Sequence, residues 1–233
     1  NSTFKISVIN TLIYTAFVMI VQNALALFIA VQIYRESRIN NVYRTLFYLP
    51  VILSAVTIGF TWSFIYDPNI GVLNTVLRAL ELSKLTHVWL SEKYVSILAI
   101  AFVHVWWGCG NAMVLYIAGL QGVPDDLLEA AAIDGIKNRW QELWYVTLPY
   151  MKPQLMFGAI LAITNSFGFG SIVTALCGFP SVNYKAHTIT HHLDDYGGQR
   201  YEIGYASAIA TILFALMIGA NMLVQKILSK VGQ

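Results

Sequence analysis

The chain has 233 residues, 57% of them hydrophobic and only 11% charged, with a formal net charge of +2 and a mean hydropathy of +0.62. A soluble domain typically carries about 25% charged residues, so the composition excludes an ordinary water-soluble enzyme, and so small a charge offers nothing to nucleic acid. Cys109 and Cys177 stand alone, without CxxC spacing, which gives no ground for a disulfide framework or a zinc knuckle.

Apolar runs of twenty or so residues recur, and at about 1.5 Å per residue each is long enough to cross a ~30 Å hydrocarbon core. Five are predicted to be helical spans, at residues 8–34, 45–66, 94–120, 154–179 and 203–228. Period-two alternation is absent, which disfavours a membrane barrel. The reading is an all-α, multi-pass membrane protein forming one domain over residues 1–233, in contact with bilayer lipid.

The opening, NSTFKISVIN, begins at Asn1 rather than Met and lacks the regions of a signal peptide. After the first span, RESRINNVYR gathers Arg35, Arg38 and Arg44 in one compact loop. The side holding that loop, the 124–149 segment, Lys152 and the tail with Lys226 and Lys230 carries eight Lys or Arg against six on the other. It is therefore predicted to be cytoplasmic. This places the start of the chain outside without an export signal, so a further upstream span, making six, is expected.

Between the third and fourth spans lies a polar stretch, DDLLEAAAIDGIKNRWQELWYVTLP, from Asp125 to Pro149. Pro124 suits a helix start, Asp125 and Asp126 sit at the positive end of its dipole, and Gly135 supplies a left-handed stop. Ala130, Ala131 and Ala132 give helix propensity with almost no bulk, leaving Glu129 and Asp134 as polar handles. A second short helix follows, with Asn138 as N-cap, Gln141 at capping-box distance, and Trp140, Leu143 and Trp144 as an interfacial stripe. Residues 124–149 are thus predicted to form a helix-turn-helix elbow on the cytoplasmic face. An interfacial helix with no partner would explain the tryptophans but not three alanines beside a glutamate and a glycine stop.

Polar side chains inside a bilayer are costly and face a cavity or another helix. Span three offers Trp106, Trp107 and Asn111, and span four, in TNSFGFGS, offers Asn165, Ser166, Phe167 and Phe169. Amides, hydroxyls and ring faces are the groups that grip sugars. Trp106, Asn111, Asn165, Ser166, Phe167 and Phe169 are accordingly the candidate substrate pathway, against helix–helix hydrogen bonding as the plainer role.

Before span five, HTITHHLDD sets His187, His191 and His192 beside Asp194 and Asp195. Such spacing invites a membrane histidine-box metalloenzyme as a rival reading. With five histidines in the chain, His87 and His104 isolated, a solvated external loop is the expectation and no metal site is assigned. A gradient-driven secondary transporter is the other rival, but no Asp or Glu lies within the five spans.

Glu129-Ala130-Ala131, three residues, Gly135, then Val146-x-Leu148-Pro149 resembles the EAA loop of ABC importer permeases. The context AGLQGVPDDLLEAAAIDG, together with YRTLFYLPVIL, GVLNTVL and GYASAIATILF, resembles the carbohydrate-uptake (maltose-type) branch over nearly the whole chain. Two departures stand out: ten residues, 136–145, follow Gly135 where the family pattern has nine, and TALCGFP replaces the usual Thr-Gly-Gly-Gly-Pro run. The longer spacing predicts a looser turn between the elbow helices.

The resemblance implies a type I ABC importer transmembrane domain for a sugar, an oligosaccharide in particular, with a polyol or glycerol phosphate as the alternative. It implies no enzyme activity in this chain, which has no GxxxxGK[ST] loop; ATP and Mg would be bound by the partner. Implied partners are a second permease subunit, two ATP-binding subunits and an extracytoplasmic sugar-binding protein, in the cell membrane. Glu129, Ala130, Ala131, Asp134, Gly135, Leu148 and Pro149 would then couple the ATPase to the membrane. Residues 67–93 and 177–202 would face the binding protein.

Overall fold

The computed structural model describes residues 2–92, 94–179, 181 and 184–229; Asn1, Lys93, Pro180 and Lys230, which entered the assignments above, lie outside them. Among the described residues every regular element is helical. Three helices are long and apolar enough to cross a membrane: α1 (Ser2–Ile33), α5 (Val95–Gln121) and α12 (Ile203–Ser229).

Two bent helix pairs bring the number of crossings to as many as five. The expected span at 45–66 is not one helix. It consists of α2 (Arg38–Tyr48), a 3-10 turn (Leu49–Ile52) and α3 (Ala55–Ile65), bent by 98°. Pro50 within the turn has no N–H to continue the ladder, Leu53 is extended, and the Ser54 side chain caps α3 by accepting from Thr57 N at 3.2 Å. The second pair is Arg139–Tyr150 with Lys152–Gly168, bent by 73°, and the expected span at 154–179 is interrupted at a separate point. Here α9 (Lys152–Gly168) stops at Phe169 and α10 (Gly170–Cys177) resumes the helix.

Side-chain contacts fix the packing. Tyr14 meets His104, Gln22 meets the Gly108 carbonyl and Asn23 meets Tyr116, so α1 and α5 run parallel. Gly158 lies against Tyr116, while Phe169 reaches His104 and Tyr14, so α9 runs antiparallel to both. α5 is the most buried of the long helices and α12 the most exposed. An apolar core of Val18, Ile97, Ile100, Val103, Ile172 and Val173 joins α1, α5 and α10.

Small residues set the closest crossings, as in other membrane helices. A Cβ on Gly59 would lie 2.2 Å from Ala175 Cβ and 3.0 Å from its carbonyl carbon. The α3–α10 crossing therefore depends on glycine. Gly59→Leu is expected to cost about 2–3 kcal/mol by forcing the helices apart, seen as a lower melting temperature in detergent. Gly204→Leu, where an added Cβ meets nothing within 4 Å, should not lower it.

The bundle has two distinct ends. At one, Arg44 donates to the carbonyls of Ile33 and Tyr34, closing the C-terminus of α1, and Gln121 donates to Tyr34 O at 3.1 Å. The elbow leaves α5 at this end. At the other end lie α4 (Val72–Ala79) and α11 (Ile189–Asp194). Asn10 donates there to the carbonyls of Lys185 and His187, and Lys185 Nζ to Ser91 O at 2.9 Å, tying the two long connections together.

Candidate functional site

The elbow forms much as its residues dictate. α6 (Asp125–Ile133) begins after Pro124 with two aspartates in its first turn. It ends where Gly135 takes φ +97 and Ile136 N returns to Ala131 O at 3.1 Å, a glycine-dependent stop. α7 (Arg139–Glu142) starts at Asn138, whose side chain accepts from Gln141 N at 2.9 Å. Gln141 Oε1 reaches one residue beyond the capping-box position, accepting from Lys137 N at 3.0 Å.

The next turn bears on two expectations. Leu143–Thr147 is a π-helix, with Leu148 N donating to Leu143 O, followed by α8 (Leu148–Tyr150). A π turn holds one residue more per hydrogen-bonded ring than an α turn. Over Leu143–Thr147 the second helix thus takes in one residue more than an α turn would. Of the expected stripe, Trp140 and Trp144 are exposed and Leu143 is half-buried.

Of the coupling candidates, Glu129, Ala130, Asp134, Gly135 and Pro149 are exposed, Leu148 is half-buried and Ala131 is buried. Ala130, Ala131, Asp134 and Pro149 share one cleft of about 460 Å³ with Leu127, Ile136, Tyr145, Val146 and Tyr150. Ile133, at the end of α6, is 86% exposed. A large aliphatic side chain held out at a helix end, beside an open cleft, is a surface suited to a protein partner.

The pathway candidates separate. Asn111 and Asn165 are exposed. On α9 the exposed residues Phe157, Leu161, Thr164, Asn165 and Gly168 fall on one face, at i, i+4, i+7, i+8 and i+11. Ser166, Phe167 and Phe169 are turned inward instead. Ser166 Oγ donates to Ala162 O at 2.6 Å, and Phe169 stacks on the His104 ring at 4.0 Å and 14°. Trp106 is half-buried, edge-on to Trp62 at 5.5 Å. The role of Phe169 was missed from sequence: it marks the break between α9 and α10 and is held by Tyr14, His104 and Trp107. The isolated His104 in an apolar run was the available signal.

The histidines overturn the expectation of a solvated loop. His187, His191 and His192 are each fully buried, between α1, α11 and the start of α12. His187 Nε2 lies 3.2 Å from His192 Nδ1, and the His187 ring is 4.8 Å from that of His191. Only His191 and His192 are on α11, since Thr188 caps that helix and leaves His187 before it. Among the described residues no group of three or more His, Cys, Asp or Glu is arranged to hold a metal ion. Burial pushes the His187 imidazole down to about 3 and that of His191 to about 4, with Asp195 opposing the shift.

Residues 22–231 match the family model described as binding-protein-dependent transport system inner membrane component. The chain is 31% identical over 79% of its length to the probable ABC transporter permease YurN of Bacillus subtilis, and 33% identical over 90% to the diacetylchitobiose uptake permease NgcF of Streptomyces coelicolor. It spans 62% of the length of each of these relatives. The fold matches a chain of a bacterial ABC transporter involved in importing the acidic polysaccharide alginate, with TM-score 0.85 at 19% identity, covering 100% of this chain and 81% of that one.

Proposed function

The chain belongs to the family of binding-protein-dependent transport system inner membrane components, and from that premise we propose that it is a membrane subunit of an ATP-driven importer for a sugar, an oligosaccharide in particular. The observation that carries this reading is the elbow: a thin, alanine-lined helix with Glu129 exposed and an open cleft beside it, at one end of the bundle. Glu129, Ala130, Ala131, Asp134, Gly135, Leu148 and Pro149 would dock there on an ATPase subunit that binds ATP and Mg. Glu129 would set the register by pairing with a base. The assembly would comprise a second permease subunit, two ATP-binding subunits and an extracytoplasmic binding protein. Relatives named for diacetylchitobiose uptake and multiple-sugar transport support the solute class.

The solute path would follow the mixed face of α9, with Thr164 and Asn165, and Asn111 of α5. Asn165→Ala is expected to cut uptake of labelled oligosaccharide several-fold in vesicles carrying the assembled importer. The control Thr211→Val, whose hydroxyl bonds back to Ser207 O, should transport normally. Unchanged uptake in both Asn165→Ala and Asn111→Ala would remove this path.

A further inference from the structure

The elbow is continuous in the chain with α5 and α9, but it reaches α1 only across space. Packing between the two is loose. A cavity of about 50 Å³ lies between Val31 of α1, Leu120 of α5, Leu128 of α6 and Leu143 of the second elbow helix. Another, of about 180 Å³, lies between Val31, Gln32, Trp140 and Leu143. Apolar atoms that face a gap forfeit their dispersion contacts, so these surfaces are free to slide on one another.

A polar tie spans the gap. The Tyr34 hydroxyl, just past the end of α1, accepts hydrogen bonds from Arg139 at the start of α7 and from its neighbour Arg35, the latter at 3.5 Å. Glu142 of α7 attracts Arg35 in turn. A hydrogen bond from a guanidinium is stronger than one between neutral groups. It also resists pull and rotation, where apolar contact across a gap resists only a push.

The same residue holds two further elements. The Tyr34 carbonyl accepts from Arg44 of α2 at 2.7 Å and from Gln121 at the end of α5 at 3.1 Å. Tyr34 thus gathers α1, α2, α5 and α7 at one point. Any residue could supply that carbonyl, so the tyrosine side chain needs another reason. Its ring packs against the apolar cluster that includes Ile33, Ile117 and Leu120, which fixes the direction of the hydroxyl, and the hydroxyl meets the elbow.

We propose that Tyr34 is the positioning residue through which movement of the elbow is passed to α1. The inference rests on the functional reading above and adds the contact that carries the stroke onward from the elbow. The test follows ATP hydrolysis and uptake of a labelled oligosaccharide together, in proteoliposomes carrying the assembled importer with its binding protein. Tyr34→Phe keeps the ring and the carbonyl and removes the hydroxyl alone. It is expected to lower uptake per ATP hydrolysed about fivefold, with hydrolysis and the melting temperature near those of the wild type. Arg139→Gln should give the same loss from the other side, and Arg139→Lys, which keeps a charged donor, should regain much of it. The double variant combining Tyr34→Phe and Arg139→Gln should be no worse than either alone, as for two residues acting through one contact. Wild-type uptake per ATP in Tyr34→Phe would overturn the proposal, and so would losses that add in the double variant. A parallel fall in hydrolysis, uptake and melting temperature would make the tie purely structural and overturn it equally. A wild-type importer that takes up no oligosaccharide on ATP would overturn the functional reading itself, a result visible without any variant.

Discussion

Glu129→Lys is expected to abolish uptake by the assembled importer, by tenfold or more, while the protein still inserts and folds. Glu129 is exposed and makes no ion pair among the described residues of this chain, so its reversal removes nothing from the fold. Across an interface, a like-charge contact costs several kcal/mol, which is enough to lose docking. Gly135→Trp should do the same by a different route. At φ +97 any side chain is strained, at about 1–2 kcal/mol, a cost the bundle can absorb. Nothing in this chain lies within 4 Å of an added Cβ, so a tryptophan would project into the space a partner needs. ATP hydrolysis and uptake, measured together in proteoliposomes, should come apart in both variants. Full uptake in both would remove the elbow from the mechanism.

Acid is expected to be the strongest solution perturbant of the face opposite the elbow. The folded protein holds His187 near 3 and His191 near 4, below the ordinary value of 6.5, chiefly through burial. A depressed histidine favours the neutral folded form, so its contribution is intact above about pH 6.5 and is lost as the pH falls toward the folded values. Each pH unit in that window is worth about 1.4 kcal/mol per histidine. The melting temperature should therefore drop steeply between pH 6.5 and 4. His191→Phe should flatten that drop: among the described residues both His191 ring nitrogens lack a hydrogen-bond partner, and the ring already stacks on Phe179 at 4.6 Å. A melting temperature indifferent to pH over this window would show the histidines to be hydrated rather than buried.

Local chemistry made the elbow legible in advance. Gly135, Asn138 and the alanines act within one or two turns of themselves, and each does in the fold what its type implies. The two broken spans were hidden by hydropathy, which averages over the residues that matter. Pro50 and Ser54 bend a stretch that is apolar throughout, and the stop at Phe169 is held by rings on α1 and α5 that a local reading does not connect. The histidines failed for the same reason. Polar residues in a short connection read as wet, and only the packing of α1 across them, through Asn10 and Thr11, makes them dry.

The π turn at Leu143–Thr147 carries a mechanical implication. One surplus residue in a regular α-helix would rotate everything after it by about 100°, aiming the Leu148–Pro149 corner away from the cleft it lines with α6. Taken up as a local bulge, the surplus leaves that aim intact. On the coupling role proposed above, a change of one residue in this segment would leave the direction of the transmitted motion unaltered.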